Sequence, residues 1–222
     1  MKKNKIMRIA SVLLVAVILT TCAISGTFAK YVTSGNGSDS ARVAKFGVTV
    51  NGTADTFKET YAKDDTSSTL AANTVVSTED VVAPGTSGNM AAFTLAGTPE
   101  VAVNVKFAGT LELGDKWVDS SDAYYCPIEI TVGDQTYKGK DYTSADLFEA
   151  AVNGKIATYS NNYEAGTDLS TSAVSNNAPA ISWKWAFEGN DNVKDTYLGN
   201  QAAEGNAATI SLSVTTTVTQ ID

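Results

Sequence analysis

The chain has 222 residues, with 16 basic against 24 acidic side chains, two cysteines and no histidine. The missing histidine removes Ser-His and Cys-His nucleophile systems and the H-E-x-x-H zinc motif. A formal net charge of −8 opposes binding to nucleic acid or to anionic lipid.

Lys2, Lys3, Lys5 and Arg8 precede a compact apolar run over residues 9–19, and Thr27-Phe28-Ala29 places small residues at the two positions a signal peptidase reads. The apolar run is broken by Thr20 and Thr21, short of the roughly 20 residues that span a bilayer. Residues 1–29 are therefore predicted to be a cleavable signal peptide, with Thr27, Ala29 and Lys30 at the cut and a membrane association that ends there. A lipoprotein reading would need Thr21 before Cys22, where a smaller residue is usual. Cleavage after Ala29 leaves 193 residues, enough for one domain, with twelve basic residues against all 24 acidic ones, a net charge of −12. Cys126 is then the one remaining cysteine, so no disulfide within the chain can staple the fold.

Residues 30–41 are rich in Gly, Ser, Thr and Asn and are expected to form a flexible arm. Residues 44–51 alternate apolar and polar, which predicts a first strand with Ala44, Phe46, Val48 and Val50 on one face. A polar loop is expected to follow up to Asn73. Val75, Val76, Val81 and Val82, a turn at Pro84-Gly85-Thr86-Ser87-Gly88, and the alternation of Ala91, Phe93 and Leu95 predict a hairpin-like pair. Val101, Val103, Val105 and Phe107 share one parity, which Leu111 and Leu113 continue beyond Gly109. Tyr124, Cys126, Ile128, Ile130 and Val132 form another such set, which points Cys126 inward, and Gly133-Asp134 turns the chain after it.

One short helix is predicted from about Ser144 to Val152, capped by Thr143 or Ser144 and stopped at Asn153-Gly154. Residues 159–180 are polar and loop-like. Trp183, Trp185 and Phe187 alternate with Ser182, Lys184 and Ala186, and a long last strand carries Ile210, Leu212, Val214, Thr216 and Val218 on one face. Eight or nine strands with one helix describe an all-β fold, an antiparallel jelly-roll sandwich over residues 42–222.

Four stretches resemble the exported biofilm-matrix proteins of the TasA and camelysin type from Gram-positive bacteria, which are cleaved by a SipW-type signal peptidase. They are Gly26-Thr27-Phe28-Ala29 with Tyr31 after it; Ala41-Arg42-Val43-Ala44-Lys45-Phe46; Val82-Ala83-Pro84-Gly85-Thr86 before Phe93; and Trp183-Lys184-Trp185-Ala186-Phe187-Glu188-Gly189-Asn190-Asp191 before the Thr-rich end strand. The resemblance implies a structural, non-enzymatic jelly-roll subunit that polymerises with copies of itself, the N-terminal strand of one completing the sheet of the next. It also leaves place for an accessory matrix protein. Physically, a strand freed by cleavage adds to an exposed sheet edge and inserts Ala44, Phe46, Val48 and Val50 into an apolar groove. The competing reading is that this strand, about residues 42–51, pairs within its own subunit.

No cofactor is expected. Glu188, Asn190, Asp191 and Asp195 offer oxygen ligands of the type calcium takes, at a spacing unlike the EF-hand, against the alternative of an ordinary acidic turn. Trp183, Trp185 and Phe187 fit either a core stripe or a sugar-stacking platform, and the latter motivates a second function, a monomeric secreted carbohydrate-binding or adhesive module. No spacing singles out two carboxylates for glycoside hydrolysis.

Overall fold

The computed structural model describes residues 32–35, 41–42, 48–51, 62–63, 81–90, 93–187 and 191–221, all within the compact unit Tyr31–Asp222. Twelve strands are described: β1 (Val32–Gly35), β2 (Ala41–Arg42), β3 (Thr49–Asn51), β4 (Ala62–Lys63), β5 (Thr86–Asn89), β6 (Thr94–Ala96), β7 (Val103–Leu113), β8 (Ile128–Val132), β9 (Gln135–Lys138), β10 (Ser160–Tyr163), β11 (Ile181–Trp185) and β12 (Ile210–Gln220). Three α-helices accompany them, α1 (Ala145–Ala157), α2 (Ser172–Ser175) and α3 (Asn192–Ala203), with one 3-10 turn at Gly139–Asp141. The strands form a four-stranded sheet β1-β12-β7-β10, a five-stranded sheet β4-β5-β11-β8-β9 and a three-stranded sheet β2-β3-β6. Every strand pairing is antiparallel, so the chain is a mostly β, antiparallel structure with few helices.

The core follows the predicted parities. Val103, Val105, Phe107 and Leu111 of β7 are buried together with Leu212, Val214 and Val218 of β12, because alternate residues of a strand face the same side. In the five-stranded sheet, Ile128, Ile130 and Val132 lie opposite Trp185, Trp183 and Ile181, and all six are buried. Cys126 is fully buried, and burial pushes its thiol pKa up to about 12.

Several expectations are corrected. Pro84-Gly85 is the whole turn, and Thr86 to Asn89 is already strand, paired with β11. Among the described residues the predicted hairpin is not formed, since β5 lies between β4 and β11 while β6 pairs with β3, and residues 81–83 belong to no strand; Val75, Val76 and Ala91 lie outside the described residues. The polar segment 159–180 contains β10 and α2. β10 reads Ser-Asn-Asn-Tyr and gives no hydrophobic alternation, because it is held by amides: Asn104 Nδ2 donates to Ser160 Oγ at 3.0 Å and to Asn162 Oδ1 at 2.7 Å.

The expectation of one short helix also fails twice. Ser144 caps α1, its hydroxyl accepting from Leu147 N at 3.4 Å, but the helix runs through Asn153-Gly154 to Ala157. Tertiary contacts override the local stop signal there. Asn153 Oδ1 accepts from Leu111 N at 2.8 Å, and Ile156 is fully buried against Gly109, where any Cβ would collide with the Ile156 side chain. α3 lies where an acidic turn was expected, and it ends before Gly205, whose φ of +86° suits the left-handed stop after a helix. It buries Leu198 and Asp195 and leaves Val193 exposed, so no broad apolar stripe announces it.

Candidate assembly edge

β12 is paired with β7 along its whole length, from Ile210↔Leu113 to Gln220↔Val103. Its other side carries β1 over four positions, Val32↔Thr219, Thr33↔Val218, Ser34↔Thr217 and Gly35↔Thr216. Along Ile210 to Val214 no described strand lies on that side. Backbone groups on such a stretch have no ladder partner and form a template for another strand. Thr216, beneath β1, is a buried polar residue, and Gln220 Oε1 is buried with no hydrogen-bond partner among the described residues.

On the other flank of the β12–β7 pair, β7 is covered by β10, the terminal strand of the sheet, and by α1. β10 covers Val103 to Lys106 of β7, and past it the Phe107 amide donates to Tyr159 O at 3.0 Å. Leu111 N and Leu113 N donate to the side chains of α1, to Asn153 Oδ1 at 2.8 Å and Glu149 Oε1 at 2.7 Å. A helix laid along a strand with its polar side chains turned to the free amides is one way proteins blunt an edge.

Of the predicted donor residues, Val48 and Val50 are buried, at 0% and 2% exposure. Val50 pairs with Leu95 of β6 on one side and Ala41 of β2 on the other. The predicted strand over residues 42–51 is therefore not one strand: Arg42 belongs to β2 and Thr49–Asn51 to β3, and the two pair antiparallel with each other within a single chain. Ala44 and Phe46 lie outside the described residues, as do Thr27, Ala29 and Lys30 at the predicted cut. Part of the expected flexible arm is strand β1.

The acidic candidates separate. Glu188 lies outside the described residues. Asp191 pairs with Lys140 at 3.1 Å. Asp195 is buried in α3, its Oδ1 accepting from Tyr125 Oη at 2.7 Å. Burial first, then this bond to Asp195, holds the Tyr125 hydroxyl pKa well above the ordinary phenol value. Next to it Lys194 Nζ stands 4.9 Å from the Tyr125 ring centre and 3.1 Å from Asp119. The backbone N–H of Ser121, followed by Lys194, lowers the Asp119 carboxyl pKa. Among the described residues no three of His, Cys, Asp and Glu gather as a metal site.

The aromatic row is a core stripe at two of its three positions: Trp183 and Trp185 are 2% and 5% exposed, whereas Phe187 is half exposed. Neither tryptophan offers a flat face to a sugar. Sequence patterning missed both edges, since β1 and β10 carry almost no apolar alternation; the one available signal was the length of β12, which exceeds what any neighbouring polar segment covers.

Comparison with protein-family models, with curated proteins and with solved structures finds no match.

Proposed function

We propose that the chain is an exported structural subunit, released by cleavage after Ala29, that assembles into extracellular fibres by donating its N-terminal strand to the next copy. The fold underlying it is a jelly roll, with the four-stranded and five-stranded sheets as its two faces. The observation that carries this reading is the seat of β1: four positions at the outer edge of an eleven-residue strand, contributed by the first residues after the predicted cut. The same ladder forms when β1 comes from a neighbour, so exchange exchanges equal contacts and costs only association. Cleavage is the switch, because a tethered terminus cannot reach another subunit. Head-to-tail exchange is heterologous and does not close on itself, so it propagates into a filament.

Two stretches compete as donor, and the geometry favours β1 over β3. β3 lies between two strands with Val48 and Val50 in the core, and withdrawing it opens the three-stranded sheet. β1 is terminal in its sheet, and its removal exposes backbone on one side of β12 alone. The burial of Trp183 and Trp185 weighs against the sugar-binding alternative.

Electron microscopy of chains starting at residues 30, 36 and 52 tests the proposal. Filaments from the first and none from the second are expected. Equal filaments from the first two remove β1 as donor, and filaments from all three remove strand donation altogether.

A further inference from the structure

A cavity of about 500 Å³ lies beside α3, walled by Pro84, Trp117, Trp185, Leu198 and Ile210, with Asp195 as its one charged side chain. That volume falls within the range of small-molecule sites, about 300–1,000 Å³, and the lining has their usual character of apolar wall and few polar groups. The rings of Trp117 and Trp185 are 6.0 Å apart and tilted by 59°, which fixes one wall in place.

The polar groups here are not all satisfied. Trp117 Nε1 donates to Thr209 O at 2.7 Å, and Tyr125 Oη donates to Asp195 Oδ1 at 2.7 Å. Trp185 is 5% exposed, and its Nε1 is buried with no partner among the described residues. A buried N–H that gives up water and gains no acceptor is rarely left so in a folded protein. Asp195, for its part, has accepted one of the several hydrogen bonds a carboxylate holds. Trp185 and Asp195 both line the cavity, so a group that accepts from an indole and donates to a carboxylate, on an otherwise apolar body, suits this lining. A hydroxyl does both. The mouth is built to admit it: Gly199 and Ala202 of α3 and Ala207 line the cavity and are exposed, and a Cβ on Gly199 would touch nothing within 4 Å.

We propose that this cavity binds a compact apolar molecule carrying a single hydroxyl, an alcohol or a phenol, whose oxygen accepts a hydrogen bond from Trp185 Nε1 and whose O–H donates one to Asp195. The cavity reaches the start of β12 at Ile210, and its proposed ligand does not depend on fibre formation.

The chain has three tryptophans, so its indole N–H resonances are few and are assigned by single Trp→Phe variants. The chain from residue 30 is titrated with 4-propylphenol and, in parallel, with propylbenzene. The Trp185 indole resonance is expected to shift and saturate with 4-propylphenol, and the phenol to bind about tenfold tighter than the hydrocarbon, the scale of one hydrogen bond in a dry site. Ala202→Phe and Gly199→Leu, which narrow the mouth, are expected to abolish the shift while the circular dichroism spectrum is unchanged. A Trp185 resonance that never saturates, equal binding of propylbenzene, or full binding by variants that keep the native spectrum would each overturn the proposal.

Discussion

The two flanks of the β12–β7 pair in the four-stranded sheet are covered in opposite ways. On the β7 side, β10 is locked by the Asn104 amide, and α1 turns Asn153 and Glu149 onto the amides of Leu111 and Leu113. On the β12 side, β1 spans four of eleven positions. The sealed edge uses a helix, a side-chain network and a glycine to bring them close; the other uses a short strand of Ser, Thr, Gly and Val. An edge this economical to uncover is one that a second chain can take over. The β7 flank of the β12–β7 pair is covered by β10 and α1, and the β12 flank is the one on which the proposed assembly would add copies.

The largest effect expected from breaking this contrast lies on the sealed side. Ile156→Ala empties a fully buried contact between α1 and Gly109 of β7, and a loss of about 2–5 kcal/mol is expected in urea unfolding. Asn153→Ala leaves Leu111 N without its acceptor, for which about 1–3 kcal/mol is expected by the same measurement. Starting the chain at residue 36 removes four edge positions, and its unfolding free energy is expected to fall by less than either substitution, although filaments vanish. A truncation that proves more destabilising than Ile156→Ala makes β1 a structural strand and ends the contrast.

A pH dependence tests the core that the full and truncated chains share. The Cys126 thiol is raised from 9.0 to about 12 in the folded chain, so the native state holds this proton more tightly than the unfolded one. Its contribution is full below pH 9 and is lost as pH rises through the interval up to about 12. The same loss is expected from the full chain and the truncated one, because Cys126 lies in the core. Native Cys126 is also expected to resist iodoacetamide at pH 8 and to react on unfolding.

The sequence displayed the parts of this molecule that are amphipathic. The parities of Val103 to Phe107, of Ile128 to Val132 and of Leu212 to Val218 located the long strands and the core correctly, because alternate burial writes itself into residue type. Elements held by backbone and amide contacts left no such trace, as in β10, or were hidden by a misleading local signal, as at Asn153-Gly154, where packing on β7 carries the helix onward. α3 buries only Leu198 and Asp195, too few for a helical stripe to be read. The candidate edge was half legible. The length of β12 and a signal-peptide-like terminus were visible, whereas the choice of β1 over residues 44–51 rests on which strand is terminal in its sheet, a property of pairing that no single segment encodes.

The register gives the most direct test of strand donation. Ser34 and Thr217 are opposite each other across β1 and β12, within the separation that a disulfide bridges in antiparallel pairs. Ser34→Cys and Thr217→Cys are placed in separate chains, both starting at residue 30, and mixed under mild oxidant during assembly. A disulfide-linked dimer containing one chain of each kind is expected. Filaments that form without that dimer, while the double variant closes its disulfide within one chain, would contradict it.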